Sequence, residues 1–244
     1  MVLFIKKILF ALLPTHYYLL AVSFVFIRVT KWGFYKSTYP ELFYLKHIIK
    51  QGDTVIDIGA NLGYYATKMA ELVGKTGKVL LVEPMPHFQK IALLNTKKYA
   101  ATCELIPYAL GSEEGIIGFE NPLKTGSWHH GRTKIASTSK ADIEVQIKKA
   151  DSVFKNITTT INFVKCDVEG HEIQLLLAMI ETIKKHKPIL QIEIENVNKE
   201  YLYDWFKSIG YACYVLFNFQ LKRITKNELI ASEKQDFYFL FELN

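Results

Sequence analysis

Three residues that could hold a ligand close one apolar run, and a fourth closes another. The first run, Thr54-Val-Ile-Asp-Ile-Gly-Ala-Asn-Leu-Gly-Tyr64, contains Asp57, Gly59 and Asn61. The second, Val79-Leu-Leu-Val-Glu-Pro84, ends in Glu83. Gly59 lets the backbone approach a ligand closely, and Asn61 can cap the helix that follows. Such a turn aims free backbone N–H groups above the carboxyl ends of the strands. Gly59 and Glu83 are 24 residues apart, near the spacing of roughly 20 at which an acidic side chain meets the ribose of a nucleoside. One strand offers a turn for the ligand and its neighbour a carboxylate for the sugar, so the pattern reads as a nucleoside site.

The nucleoside can be narrowed. The dinucleotide fingerprint G-x-G-x-x-G needs a second glycine where this chain has Asn61. The phosphate loop G-x-x-x-x-G-K-[ST] is absent. Asp57 lies inside an apolar strand, where it either faces a cationic or amine-bearing ligand or ties down the loop after its strand. A carboxylate, a glycine turn and a ribose acid without phosphate-binding features suit S-adenosylmethionine, whose amino-acid tail carries an ammonium.

These residues need strands and helices to position them. Val55 to Ile58 reads as a buried parallel strand, Leu62 to Val73 as a helix stopped by Gly74, and Val79 to Val82 as the next strand. Pro86 to Tyr99 follows as helix and Cys103 to Tyr108 as strand. Residues 111–150 are glycine-punctuated and without helical period, predicting short strands and loops. Within them Gly126-Ser-Trp-His-His-Gly-Arg132 reads equally as a mobile substrate loop or a solvated turn. Asn162 to Asp167 is a strand ending in a carboxylate, followed by an amphipathic helix to Lys185. Pro188 to Ile194, a helix over Lys199–Ile209, and closing strands Tyr211–Phe217 and Phe237–Leu243 complete an α/β pattern.

At 244 residues, half of them hydrophobic and 14% aromatic, the chain suits one α/β domain with additions rather than disorder. Cys103, Cys166 and Cys213 form no C-x-x-C pair and read as buried residues in a reducing compartment. The net charge of +6 is confined to residues 1–50, which carry seven basic side chains against Glu41 alone. The rest holds 23 of each sign, so the catalytic region lacks the basic excess of a nucleic-acid grip. Ile8 to Ile27 is mostly apolar but broken by Pro14-Thr15-His16, with Lys6-Lys7 before it and Arg28, Lys31 and Lys36 after. It reads as a weak span, as helices lying on a membrane surface, or as a cap packed on the domain. A secretory signal is disfavoured by the broken apolar stretch. The heavier basic flank after Arg28 would leave the domain in the cytoplasm, the expected location, with membrane association through residues 1–36.

Four blocks then carry a resemblance. Gly52-Asp-Thr-Val-Ile-Asp-Ile-Gly-Ala-Asn-Leu-Gly-Tyr-Tyr65, Val82-Glu-Pro84, Phe163-Val-Lys-Cys-Asp-Val-Glu-Gly-His-Glu172 and Lys187-Pro-Ile-Leu-Gln-Ile-Glu193 resemble the FkbM family of S-adenosylmethionine-dependent methyltransferases, over roughly residues 50–217. The resemblance implies a doubly wound, mostly parallel, seven-stranded, Rossmann-like sheet of the class I methyltransferase type, with an antiparallel last strand. It divides the chain into a segment 1–36 and a methyltransferase domain 37–244. It implies methylation of a hydroxyl on a sugar, glycan, lipid or secondary metabolite. Carried over, the cofactor positions are Asp57, Gly59, Asn61, Gly63 and Glu83, with Asp167 and Glu169 on the substrate side.

Methyl transfer asks mainly for alignment of acceptor, methyl and sulfur. A hydroxyl acceptor must also lose its proton to a carboxylate or histidine in reach. Asp167 is the first candidate for that base, then Glu169, then His130. Alternatively, Asp167 with Glu195 and Asn196 offers oxygen ligands for Mg²⁺, although nothing else in the block supports a metal. Glu172 suits the first turn of the following helix. The rival functions are a nucleic-acid methyltransferase and a non-catalytic cofactor-binding protein of the same fold.

Overall fold

The run Thr54–Ile58 is buried at every position, as a strand covered on both faces by helices must be. The computed structural model describes residues 10, 12–99, 102–120, 135–136, 141–168 and 170–242. In chain order the elements begin α1 (Thr15–Lys31), α2 (Pro40–Ile48), β1 (Thr54–Ile58), α3 (Tyr64–Val73), β2 (Lys78–Val82), α4 (Pro86–Thr96) and β3 (Cys103–Ile106). Next come β4 (Ala109–Gly111), β5 (Gly115–Phe119), β6 (Ile135–Ala136), β7 (Ile143–Lys149), α5 (Ala150–Phe154), β8 (Ile161–Cys166), α6 (Glu172–Ala178) and α7 (Ile180–His186). The chain closes with β9 (Ile189–Glu193), α8 (Lys199–Ser208), β10 (Tyr211–Phe217), β11 (Gln220–Arg223), α9 (Lys226–Ala231) and β12 (Asp236–Phe241).

The main sheet has the order β11-β10-β12-β9-β8-β1-β2-β3. β1 pairs in parallel with β2 on one side and β8 on the other, so the strand order reverses there. β12 inserts antiparallel between β9 and β10. This is the mostly parallel α/β sheet that was expected, with eight strands in place of seven. The addition is β11, which folds back on β10 through Asn218 and Phe219, both in the left-handed region. Four mostly polar residues, Gln-Leu-Lys-Arg, gave no strand signal, and the α9 helix was likewise not anticipated. The single helix expected up to Lys185 is two, because Met179 leaves helical geometry between α6 and α7.

The strands β4, β5, β6 and β7 form a second sheet of order β4-β7-β5-β6. The expected short strands are there, and they pair with one another instead of extending the main sheet. Residues 121–134, with the His129-His130 stretch, lie outside the described part.

Three apolar clusters hold the layers together. Ile56, Ile58, Val164 and Ile192 face α6, α7 and α8, packing on Leu175, Ile183 and Phe206. Val55, Val79, Leu81 and Phe163 face the other way, under Leu45 of α2 and Met69 of α3. The third joins Tyr18 and Leu19 of α1 to Phe88 and Ile91 of α4 and to Phe119 and Val145 of the small sheet. Along its inner face, α1 is therefore packed on the domain. It starts only after Pro14, and no helix among the described residues is long and apolar enough to cross a membrane. Cys166 and Cys213 are buried as expected, while Cys103 is half-buried.

The tightest packing in the sheet lies at the end of β1. Gly59 has φ +81°, and a Cβ there would sit 1.8 Å from the carbonyl oxygen of Asp167. No rotamer relieves a clash with backbone, and an L-residue at this φ is strained as well. Gly59→Ala is therefore expected to lower stability by about 3 kcal/mol; an unchanged thermal midpoint would show that β1 and β8 can separate freely.

Candidate active site

The carboxyl ends of β1, β2 and β8 open into a cleft of about 860 Å³, counted to its open mouth. Its floor is Ile58, Gly59, Glu83 and Asp167, and the small sheet covers it with Leu110, Phe119 and Ile147. Its lining is that of a small-molecule site, mostly apolar with a few convergent polar groups. Its place, above a reversal of strand order, is where open α/β sheets bind ligands.

Glu83 is the best-defined polar group in the cleft. Its Oε2 accepts the Asn61 N–H at 2.7 Å and its Oε1 accepts the Met85 N–H at 2.8 Å. Gln89, one turn into α4, donates its amide to the Glu83 and Pro84 carbonyls at 2.8 and 3.1 Å and fixes the chain after β2. Burial pushes the Glu83 carboxyl up to about 7, with the Met85 and Asn61 amides pulling in the opposite direction. Each oxygen retains acceptor capacity, since a carboxylate offers about four lone-pair positions.

The turn after β1 differs from expectation in two respects. Its amides are not free: Gly59 and Ala60 both donate to the Val82 carbonyl, and Asn61 donates to Glu83. Nor does Asn61 cap α3, which begins three residues later with Gly63 at the cap position. Asn61 instead has φ +49°, a conformation that asparagine tolerates better than most residues, and this is what aims its N–H at Glu83. Gly63 does not reach the cleft. Its φ is +79°, and a Cβ there would come within 3.1 Å of the Ala92 backbone, so it lets α3 start against α4.

Asp57 also lies off the cleft wall. It sits on the sheet face covered by α3, level with Lys165 of β8, and burial pushes its carboxyl up to about 6, offset by the Lys165 charge. Neither oxygen makes a hydrogen bond within normal limits, although the Ala66 amide favours the ionised form. Lys165 is itself buried and pairs with Asp167 at 2.7 Å, its ammonium 4.6 Å from the centre of the Tyr65 ring. Burial disfavours its charge, but Asp167 and Asp57 outweigh that and hold it above the usual lysine range. One ammonium thus ties two acidic strand positions together, and Asp167 alone of the three lines the cleft.

Sequence reasoning passed over His171. It lines the cleft beside Asp167, and burial lowers its pKa, so the ring is neutral near pH 7. Its signal was its place in the Asp-Val-Glu-Gly-His-Glu block, four residues after Asp167. Glu169 and His130 lie outside the described residues. Glu172 accepts the Gly170 N–H at 2.9 Å, a loop-holding role at the start of α6. Among the described residues, no group of three or more His, Cys, Asp or Glu side chains is arranged to hold a metal ion.

A site suited to an adenosyl group is matched by the chain's similarities. It is 27% identical to the hexuronic acid methyltransferase AglP of Haloferax volcanii over 136 residues, 55% of this chain and 53% of that protein. It is 41% identical to a protein-L-isoaspartate O-methyltransferase of Methanococcus aeolicus over 54 residues, 22% of this chain and 25% of that one. The chain thus spans about half the length of the first relative and a quarter of the second. In fold it is similar to a presumptive rRNA-methylase from Clostridium thermocellum, with a TM-score of 0.51 at 13% identity, covering 85% of this chain and 97% of that one. The Methyltransferase FkbM domain matches residues 57–213, a stretch that begins at Asp57 and takes in Glu83, Asp167 and His171. The chain belongs to the FkbM family of methyltransferases.

Proposed function

We propose that the cleft binds S-adenosylmethionine through Glu83 and that the chain methylates a hydroxyl of a sugar or sugar acid. The observation that carries this reading is the Glu83 carboxylate, buried, clamped by two backbone amides and facing the cleft with acceptor capacity left over. Two adjacent acceptors suit the two vicinal hydroxyls of a ribose. Gly59 lines the cleft with backbone alone, so that position puts no side chain against the nucleoside. Apolar walls at Ile58, Met85 and Phe88 suit an adenine ring. The sugar acceptor is supported by the likeness to AglP, a hexuronic acid methyltransferase.

When bound, S-adenosylmethionine supplies an electrophilic methyl group on a sulfonium. The chain then has to hold the acceptor hydroxyl in line and accept its proton. In-line alignment alone supplies much of the acceleration in a displacement. Asp167, its carboxylate anchored by Lys165, orients the hydroxyl by accepting a hydrogen bond. His171, neutral near pH 7, takes the proton on a ring nitrogen, while the Asp167 carboxylate is engaged by the Lys165 ammonium. Asp57 acts one step back by holding Lys165, and Gly63 by seating α3.

Two outcomes test this reading. Ribose hydroxyls donate to the ionised form of Glu83, so affinity for S-adenosylhomocysteine should rise as pH climbs through about 7 and level off above it. Glu83→Gln should bind about 10- to 100-fold more weakly at pH 8 and lose the pH dependence; calorimetry across pH 6–8 checks both, with pH-independent wild-type binding counting against the assignment. His171→Gln should lower turnover with a hexuronic acid acceptor by about 10²- to 10³-fold without changing S-adenosylhomocysteine affinity. Full turnover in His171→Gln, with Asp167→Asn inactive, would transfer the base role to the carboxylate.

A further inference from the structure

The inner face of α1 belongs to the core, but its outer face has no partner among the described residues. Tyr17, Phe24, Val25, Arg28 and Trp32 recur at helical spacing on that side and are all exposed. Trp32 is 72% and Phe24 53% exposed, values rare for large aromatic side chains on one contiguous stripe. The turn after the helix prolongs the stripe with Phe34, 60% exposed, and Tyr35.

The charges carried by this segment have one sign. Residues 1–40 contain no aspartate or glutamate. Arg28 lies over the Phe24 ring at 4.8 Å, and Lys36 lies over the Phe219 ring at 4.4 Å. Lys36 thereby joins the stripe to the tip of the β10–β11 hairpin, where Phe217 is also exposed. Lys31 pairs with Glu71 at 3.6 Å, which leaves Arg28 and Lys36 as the segment's cations facing outward among the described residues.

The stripe is also held rigidly. Phe26, on the inner side, packs against Tyr64 of α3 at 4.4 Å and against Tyr39 at 5.2 Å, ring centre to ring centre. Tyr18 and Leu19 anchor the same helix beside Met85 and Phe88. The helix therefore presents its aromatic face without having to fold or detach first.

We propose that this face seats the protein on an anionic lipid surface. Aromatic side chains flanked by basic ones suit the headgroup boundary, where rings enter the interface and the cations meet acidic lipids. A protein partner of mixed surface charge would leave Arg28 and Lys36 without a matching acidic field, whereas an anionic bilayer supplies one everywhere.

Full-length protein sedimented with vesicles of phosphatidylcholine plus phosphatidylglycerol should pellet with them, and should stay in solution with phosphatidylcholine alone. Phe24→Gln with Trp32→Gln, which keeps good helix formers on exposed positions, should weaken binding by about tenfold or more. Arg28→Gln with Lys36→Gln should abolish the preference for phosphatidylglycerol, and high salt should act likewise. Unchanged circular dichroism and S-adenosylhomocysteine affinity in both variants would confirm that the fold and the nucleoside cleft are intact. Wild-type protein that pellets with neither vesicle, or variants that pellet as well as wild type, would overturn the proposal. So would a wild-type dimer in light scattering that the Phe24→Gln, Trp32→Gln variant converts to monomer without any vesicle binding, because a second copy would then cover the face.

Discussion

A buried carboxylate must find donors, and the way Glu83 finds them organises the mouth of the sheet. Its two oxygens draw the Asn61 amide from the turn after β1 and the Met85 amide from the turn after β2. Meeting that demand places Asn61 in the left-handed region, delays the start of α3 to Tyr64, and aligns two strand ends that have no covalent reason to stay level. Charge-assisted hydrogen bonds from backbone amides are short and directional, so they fix position more firmly than apolar contacts would.

The neighbouring junction, between β1 and β8, follows a different rule. There the constraint is steric: Gly59 and the Asp167 carbonyl occupy space that admits no side chain. Behind it, Lys165 resolves an electrostatic problem by standing between Asp57 and Asp167. A buried ammonium is costly alone, and so are two buried carboxylates; together they are mutually supporting, and removal of one would leave the others uncompensated. The cleft therefore has one acidic group held by amides and another held by a lysine. These settings differ enough to suit them to different work.

The small sheet of β4–β7 makes a pocket out of what would otherwise be an open edge. Its apolar residues cover the strand ends, and Phe119 and Val145 share a cluster with Tyr18 and Leu19 of α1. Nucleoside cleft, cover and N-terminal helix are thus packed as one piece. The outward aromatic stripe of α1 belongs to the same rigid body as the chemistry.

Local signals in the sequence determined much of this protein. An apolar run broken by glycine, an acid 24 residues past that glycine, and a strand ending in Asp167 were enough for a mostly parallel α/β sheet and its acidic groups, because strand period and turn chemistry are short-range properties. The β11 strand and the break at Met179 escaped because neither carries a local pattern. What only the tertiary structure decided is which way each polar group faces. Asp57 sits within one apolar strand and Glu83 follows another, yet one turns under α3 to Lys165 and the other into the cleft. His171 enters the same cleft through the path of the loop after β8. For Asp57 the deciding neighbour, Lys165, stands more than a hundred residues away, and no spacing along the chain records it.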